Sequence, residues 1–386
     1  MFEVILSLFT LLLVIALYYP TRFLAFRLGI IDQPAKRKIH KRPIPRMGGL
    51  SIFLGFLVVA LFSKSSALPS SMGISFGSIL ILSTGAFFIG WIDDIFTIGS
   101  KRKLLLQTLL GVAAYFLGFN ITHIYFGPGW FIDLGLFSCP LTVLWIVAIM
   151  NAINLVDGMD GLATGVCAIS FGLITLFSIF FGHNENALLA IILMGGCLGF
   201  LVHNFNPAKI FMGDCGSMFL GFMLAILSAN IDPSGPGAIP VYIPFLVLAF
   251  PIVDTLVSIF RRSLRSFQNR HEQKKPRIVL SALKKVLEAD GDHIHHRLLK
   301  KNLSQKKVAI MLYGFSLTAG MVSLLMLHLP VAFSWIVGMT TIYGIYQLIL
   351  ALEYNEFEPK SKRALQKDLE EHEILNPRSQ VTKKVA

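Results

Sequence analysis

Charged residues are scarce in this sequence: Asp, Glu, Lys and Arg together make up 15% of its 386 residues. Soluble globular domains usually carry about 25%. Because hydrophobic residues reach 54% and the mean hydropathy is +0.68, the composition excludes a disordered chain and an ordinary soluble enzyme. Cysteine is also rare, with four in the chain, and this excludes a disulfide scaffold. The remaining class is a polytopic helical membrane protein.

Eleven apolar runs are long enough to predict transmembrane helices, because a span needs about 20 residues. They lie near residues 2–21, 48–65, 73–92, 104–119, 138–154, 162–182, 187–203, 216–230, 240–260, 308–329 and 331–352. We therefore predict one all-α membrane domain over residues 1–352 and a charged tail over 353–386. The aromatic and glycine-rich stretch 119–137 is predicted to form a hairpin or an interfacial loop. Apolar residues recur at helical spacing over 278–287 and predict an amphipathic surface helix.

The basic residues predict the orientation of the chain. If the eleven helices alternate in direction, 33 of the 34 Lys and Arg fall on one side and only Lys64 falls on the other. The positive-inside rule then places the N-terminus outside and the C-terminus in the cytoplasm. The predicted cytoplasmic loops are 22–47, 93–103, 155–161, 204–215 and 261–307. The net charge of +12 is accordingly interpreted as attraction to anionic lipid, with no nucleic-acid partner.

Five aspartates stand at helix ends on the predicted cytoplasmic side. They are Asp93, Asp94, Asp157, Asp160 and Asp214. An Asp inside a membrane helix costs roughly 2.5–3.5 kcal/mol on insertion scales, and converging carboxylates need a positive charge to hold them together. Mg²⁺ is the predicted ion, because it takes oxygen ligands and often uses only one or two carboxylates with water and phosphates. Asn154 could offer a carbonyl oxygen to it, and Asp214 a carboxylate from another loop.

Basic groups flank these acids in the sequence. Lys103 follows the Asp93–Asp94 pair, and the loop 261–307 contributes a histidine-rich stretch that ends at Arg297. A carboxylate–metal centre with a cationic rim is what a diphosphate substrate requires. The sequence therefore predicts that phosphate chemistry takes place at the cytoplasmic ends of the helices.

Five segments, in order along residues 30–305, resemble the polyprenyl-phosphate N-acetylhexosamine-1-phosphate transferase family. They are RKIHKRPIPRMGG, the DD pair followed by KLLLQ, NAINLVDGMDGLATG, NPAKIFMGDCGS and HIHHRL. The resemblance implies transfer of a sugar 1-phosphate from a UDP-N-acetylhexosamine to undecaprenyl phosphate, with release of UMP. It also implies Mg²⁺, for which Mn²⁺ can substitute, and a multi-pass protein of the bacterial inner membrane whose site faces the cytoplasm. A homodimer is compatible with the resemblance.

The resemblance also assigns roles to thirteen residues. The acids Asp93, Asp94 and Asp157 are predicted as catalytic, with Asp93 essential and Asp157 in the supporting polar network. Asn154 and Asp214 are predicted to bind the metal. The predicted substrate-binding residues are Lys103, Asp160, Asn204, Phe211, His293, His295, His296 and Arg297. Among these, Phe211 is expected to stack on the uracil, with Asp160 and Asn204 near the base.

Several alternatives stay open at this stage. The single HIHH element is similar to the GlcNAc branch of the family, but the phospho-MurNAc-pentapeptide transferase of peptidoglycan synthesis and other amino-sugar donors remain alternatives. A secondary transporter would carry its acids near the bilayer midplane, whereas here they lie at one predicted face. A CDP-alcohol phosphotransferase would need an Arg and two trailing Asp after its DG motif, and DGMDGLATG lacks them.

Overall fold

The structure, a computed structural model, describes residues 2–34, 42–63, 75–127, 130–230, 242–272, 293–352 and 354. These ranges contain thirteen α-helices. They are α1 (Phe2–Leu28), α2 (Gly49–Ser63), α3 (Phe76–Phe96), α4 (Ser100–Phe116), α5 (Ser138–Val156), α6 (Leu162–Phe180), α7 (Asn184–Asn204), α8 (Gly213–Ala229), α9 (Tyr242–Val247), α10 (Ala249–Glu272), α11 (Ile294–Lys300), α12 (Gln305–Leu327) and α13 (Val331–Ala351). The predicted all-α class is confirmed for the described chain.

Each of the eleven apolar runs coincides with helix over the part of it that the structure describes. Within the described ranges, seven helices are long and apolar enough to cross a membrane, namely α1, α3, α5, α6, α7, α12 and α13, and α2 and α8 are apolar but shorter. The chain is thus a multi-pass membrane protein. The count of eleven spans and the orientation of the two termini stay predictions.

The ninth apolar run is broken into two helices. α9 ends at Val247, and α10 begins two residues later at Ala249. Pro251 explains the break, because proline has no N–H to donate to the carbonyl four residues earlier, which is that of Val247. The Ser170 hydroxyl of α6 donates to this carbonyl at 2.9 Å instead. The carbonyl that the break leaves without an N–H partner is therefore hydrogen-bonded by a side chain of the neighbouring helix.

The core of the described bundle is built around α8. Every residue of α8 from Gly213 to Ser228 is buried, and the helix packs against α2, α3, α5 and α6. A helix that is apolar on all sides is expected in such a position. Helix α7 packs against α6, α1 and α2. The N-terminus of α8, which carries Asp214, is held fixed by this packing.

Two glycines allow helices to approach α8 at its first turn. A Cβ atom added at Gly90 of α3 would lie 2.1 Å from the backbone oxygen of Asp214, and one added at Gly49 would lie 2.2 Å from the backbone of Gly216. No real side chain tolerates such distances. These glycines are therefore needed to bring α2 and α3 into backbone contact with the start of α8.

Two short hairpins complete the fold. Strands β1 (Ile31–Asp32) and β2 (Ile44–Pro45) pair antiparallel beside the first turn of α2, and β3 (His123–Gly127) and β4 (Trp130–Asp133) pair antiparallel between α4 and α5. The second hairpin confirms the prediction for the stretch 119–137. The predicted amphipathic helix over 278–287 lies outside the described residues, as does the tail except for Tyr354.

Candidate active site

A cleft of about 510 Å³ lies at one end of the bundle. Its lining comes from the ends of α5 and α7, the starts of α8 and α12, the loop between α5 and α6, α11 and the chain between α1 and α2. The end of α3 and the start of α4 adjoin it through Asp94 and Lys103, which contact Asp214. The lining residues are Asp32, Arg46, Asn154, Asp157, Gly158, Met159, Asp160, Asn204, Phe211, Gly213, Asp214, His296 and Gln305. The fold therefore brings separate polar loops of an otherwise apolar chain to one place.

Asp214, the second residue of α8, is the centre of this cluster and is buried. Arg46 Nη2 donates to Asp214 Oδ1 at 2.5 Å, and Asn154 Nδ2 donates to the same oxygen at 3.2 Å. Lys103 Nζ pairs with the other oxygen, Oδ2. The N-terminal end of a helix also favours a negative charge. Two cations and a helix terminus thus stabilise one buried carboxylate.

Lys103 joins three of the predicted residues. Its Nζ also donates to Asp93 Oδ2 at 3.0 Å and to Asn154 Oδ1 at 3.4 Å, and the side chain is almost completely buried. Asp93 Oδ1 in turn accepts the backbone N–H of Ile98 at 2.9 Å. Asp93, Asn154 and Asp214, which come from three helices, therefore meet on one ammonium group.

Asp94 has a different position from its neighbour Asp93. Its two oxygens accept the backbone N–H groups of Asp214 and Cys215, each at 2.9 Å, and Arg46 Nε lies 3.4 Å from its Oδ1. The side chain is completely buried. Asp94 therefore caps the N-terminus of α8 from another helix. These contacts favour a positioning role for Asp94 over the catalytic role predicted from the sequence.

Asp157 follows the last residue of α5 and lines the cleft. None of the described residues donates a hydrogen bond to its carboxylate. Burial raises the pKa of Asp157 well above its usual range, although the positive charge of Arg46 opposes this shift. Burial by itself would lower the pKa of Arg46, but the carboxylates of Asp214 and Asp94 outweigh it and raise that pKa. Arg46 is therefore the fixed positive charge of the cleft.

The oxygen atoms around the cleft suit a hard cation. Asp214, Asp157 and Asn154 supply carboxylate and amide oxygens, and sulfur and imidazole ligands are not required by such an ion. Among the described residues, no three acidic, histidine or cysteine side chains are grouped closely enough to hold a metal by themselves. Mg²⁺ commonly takes one or two carboxylates and completes its shell with water and phosphate oxygens. The oxygens of Asp214, Asp157 and Asn154 fit this way of binding Mg²⁺.

Asp160 and Asn204 fix the loop between α7 and α8. Asp160 Oδ2 accepts from Asn206 Nδ2 at 2.8 Å and from the backbone N–H of Ala208 at 3.0 Å. Asn204 Nδ2 donates to the carbonyl of Ile210 at 2.9 Å. Both side chains line the cleft, and both are engaged in shaping its wall.

Phe211 is held in that wall by backbone bonds to the segment before α2. Its N–H donates to the carbonyl of Pro45, and its carbonyl accepts the N–H of Gly48, each at 2.8 Å. The same pairing places Arg46 beside Phe211. Adjacent backbone segments therefore bring an aromatic residue and an arginine to the same cleft, and a base attached to a diphosphate would require both.

The histidine stretch begins with a residue anchored to α10. His293 Nδ1 lies 2.9 Å from Asp254 Oδ2, and the backbone N–H of Ile294 donates to Asp254 Oδ1 at 2.8 Å. All three residues are buried. Asp254, which the sequence did not identify as a site residue, therefore fixes the start of α11.

His295 is buried within this stretch, while His296 lines the cleft. Neither ring nitrogen of His295 has a hydrogen-bond partner among the described residues. Burial lowers the pKa of His295 to about 3, so its ring is neutral near pH 7. Gly158 lies against it, because a Cβ added at Gly158 would come 2.9 Å from His295 Nε2. The two motifs DGMDG and HIHH are thus in direct contact.

Arg297, like Asp93, Asp94, Lys103, His293 and His295, is not among the residues that line the cleft. The guanidinium carbon of Arg297 lies 4.5 Å from the ring centroid of Tyr354. Its predicted role in substrate binding stays a prediction.

Three polar lining residues, Asp32, Arg46 and Gln305, were not predicted as site residues from the sequence. Arg46 was one of several cations in its loop, and nothing in the sequence distinguished it from the others. Asp32 and Gln305 lie just outside the quoted motifs and carried no signal of their own. All three are identified only by their position beside the cleft in the folded chain.

The sequence pattern of glycosyl transferase family 4 matches residues 76–231. A "probable undecaprenyl-phosphate N-acetylglucosaminyl 1-phosphate transferase" of Bacillus subtilis is 36% identical over 312 residues, which cover 80% of each chain. This chain belongs to glycosyl transferase family 4. The matched region holds the acids Asp93, Asp94, Asp157 and Asp214, together with Lys103.

Two further members of family 4 are similar over most or part of the chain. A decaprenyl-phosphate N-acetylglucosaminephosphotransferase of Mycobacterium tuberculosis is 35% identical over 76% of this chain and 75% of its own. A phospho-N-acetylmuramoyl-pentapeptide-transferase of Staphylococcus carnosus is 32% identical over 59% of this chain and 75% of its own. The resemblance predicted from the sequence motifs is confirmed at the level of the family.

Proposed function

We propose that this chain transfers GlcNAc-1-phosphate from UDP-GlcNAc to undecaprenyl phosphate, giving a polyprenyl-diphosphate sugar and UMP. The observation that carries the proposal is the meeting of Arg46 and Lys103 on Asp214, a residue that lines the cleft. Such a site presents two cations and several oxygen ligands to an anionic substrate. The names of the B. subtilis and mycobacterial relatives, which describe GlcNAc-phosphate transfer, support this choice of donor sugar.

The reaction is a direct displacement at phosphorus. An oxygen of the lipid phosphate attacks the phosphorus that bears the sugar, and the bond from this phosphorus to the bridging oxygen breaks. The electron pair of that bond leaves with UMP, and the product keeps both the new phosphate–phosphate link and the sugar. The second ionisation of a phosphate monoester lies near pH 6, so little help is needed from a base.

Positioning and charge neutralisation are then the main tasks of the protein. Arg46 and Lys103 can exchange part of their contact with Asp214 for contact with the two phosphates of the donor. Asp93 holds Lys103 at 3.0 Å and can accept the last proton of the lipid phosphate. His296 also lines the cleft and can donate a hydrogen bond to the substrate.

Mg²⁺ is part of the proposal. Asp214, Asn154 and Asp157 would hold it, and the bound ion would neutralise charge on the departing UMP.

The proposed place of the reaction is the cytoplasmic face of the bacterial inner membrane. The polar ends that form the cleft are those on which the sequence places its basic loops, and the positive-inside rule assigns this side to the cytoplasm. UDP-sugars are water-soluble, whereas the phosphate of a prenyl lipid lies at the headgroup level. A cleft at the ends of the helices is accessible to both substrates.

The proposal is tested by incubating the purified protein with undecaprenyl phosphate, Mg²⁺ and each of a panel of UDP-amino sugars. We expect UMP release and a GlcNAc-bearing lipid diphosphate, identified by mass spectrometry. Reaction only with UDP-MurNAc-pentapeptide would instead assign the peptidoglycan enzyme. Solute flux in proteoliposomes without UMP release would assign a transporter and contradict the proposal.

A further inference from the structure

Two arginines from different helices meet on the ring of Tyr354. The guanidinium carbon of Arg261, in α10, lies 4.4 Å from the ring centroid, and that of Arg297, in α11, lies 4.5 Å from it. Tyr354 is 1% exposed and Arg261 is completely buried. Contact between a guanidinium group and an aromatic face is attractive, and it strengthens when water is excluded. This Arg261–Tyr354–Arg297 cluster therefore joins α10, α11 and the chain that follows α13.

The chain around Tyr354 is packed onto the protein. Lys301, just after α11, donates to the carbonyl of Ala351 at 2.9 Å, and the side chain of Leu352 is buried. Three neighbouring positions at the end of α13 thus make independent contacts with the rest of the fold. Tyr354 is consequently held in place by the packing around it as well as by the two arginines.

α11 is attached to α10 at two points, at its first turn and, through Tyr354, at its fourth residue, Arg297. Asp254 of α10 binds His293 and the N–H of Ile294 at the start of α11. Seven residues later on α10, which is about two turns and therefore the same face, Arg261 meets Tyr354 and, through it, Arg297. His296, which precedes Arg297, lines the cleft. The stretch that carries His296 is thus held between these two attachments.

We propose that Tyr354 is a positioning residue that orients α11, and with it His296, toward the cleft. This inference rests on the proposed function for its effect on catalysis. The attachment itself is independent of the substrate, and it can be tested without turnover.

The test uses three variants of the full-length protein. Tyr354→Leu removes the ring, Tyr354→Phe keeps the ring and removes only the hydroxyl, and Tyr346→Leu makes the same exchange at an exposed position of α13. Amide hydrogen exchange over residues 294–300 reports the attachment of α11. The kcat and the KM for UDP-GlcNAc report its effect on the reaction.

We expect Tyr354→Leu to speed exchange in α11 by about tenfold and to lower kcat/KM by roughly 10- to 100-fold. Tyr354→Phe and Tyr346→Leu should stay within about twofold of the wild type in both measurements. Unchanged exchange in Tyr354→Leu, or an equal loss in Tyr354→Phe, would overturn the proposal. Faster exchange with unchanged kinetics would also overturn it, because α11 would then be attached without being positioned for catalysis.

Two further outcomes remain informative. If the wild type transfers no sugar phosphate, the proposed function fails, and hydrogen exchange still decides whether Tyr354 holds α11. If Tyr354→Leu does not fold, Arg261→Lys takes its place, because lysine keeps the charge but loses the planar stacking of arginine. Faster exchange in α11 of this variant would support the proposal, and unchanged exchange would overturn it.

Discussion

Replacing Asp94 with Asn tests whether this carboxylate positions Asp214. Its two oxygens each accept one backbone N–H at 2.9 Å, from Asp214 and from Cys215, and the side chain is fully buried. Asparagine keeps one acceptor oxygen and turns its own NH₂ group toward the second N–H. That N–H then lacks a partner, at a cost of about 1–3 kcal/mol, and the remaining bond loses about 1 kcal/mol of charge assistance. We expect the free energy of unfolding to fall by about 2–4 kcal/mol.

The same change should lower activity, because the start of α8 carries Asp214. A displacement of about 1 Å at a catalytic site can cost roughly 100-fold in rate. Thermal unfolding in detergent micelles and UMP release measure the two effects. Asp93→Asn is the comparison variant, since its Oδ1 can still accept the N–H of Ile98 while its NH₂ group faces the ammonium of Lys103. It should lose turnover and some stability through Lys103, and leave both N–H bonds at the start of α8 intact. An Asp94→Asn protein with wild-type stability and activity would refute the reasoning.

Three further predictions concern the cleft. Asp214→Ala removes the carboxylate shared by Arg46 and Lys103, so it should abolish the UMP release that Mg²⁺ restores to chelator-treated wild-type protein. Phe211→Ala should raise the KM for UDP-GlcNAc roughly tenfold with little change in kcat, because stacking on a base contributes about 1–3 kcal/mol. Gly158→Ala places a Cβ atom 2.9 Å from His295 Nε2 and should lower kcat/KM, since the buried ring must shift.

Each of these predictions has an outcome that contradicts it. Release of UMP by Asp214→Ala at the wild-type rate and ordinary Mg²⁺ concentration would remove Asp214 from the metal site. An unchanged KM in Phe211→Ala would exclude the stacking role. Gly314→Ala is the control for Gly158→Ala, because a Cβ at Gly314 meets no atom within 4 Å. Equal kinetics in the two alanine variants would show that the contact with His295 has no effect.

Much of the fold follows from local properties of the sequence. A long apolar run must satisfy its backbone hydrogen bonds internally, and it therefore forms a helix wherever it occurs. This explains why all eleven runs are helical where the structure describes them. It also explains why the β3–β4 hairpin lies in the aromatic, glycine-rich connection. The break at Val247 was missed, although Pro251 was a visible signal. The sequence does not show that Ser170 would be available to satisfy the released carbonyl.

Part of the candidate site could also be predicted from local properties of the sequence. Carboxylates are costly inside a membrane helix, so Asp93, Asp157 and Asp214 had to gather at helix ends, and the motifs identified them. The different roles of Asp93 and Asp94 could not be predicted from the sequence, in which the two residues are simply adjacent. Their side chains point in different directions from α3, one toward Lys103 and the other toward the backbone of α8.

The sequence by itself determined that this chain forms apolar helices, with its acids and cations gathered at one set of helix ends. The length of an apolar run and the positions of the charged residues are properties of the local sequence, and they do not depend on how the helices pack. Only the tertiary structure decided that Arg46, among the many cations, reaches Asp214, and that Tyr354 reaches Arg261 and Arg297. Such pairings join residues far apart in the chain. They depend on how closely helices pack, and that is set by contacts such as Gly90 against the backbone of Asp214.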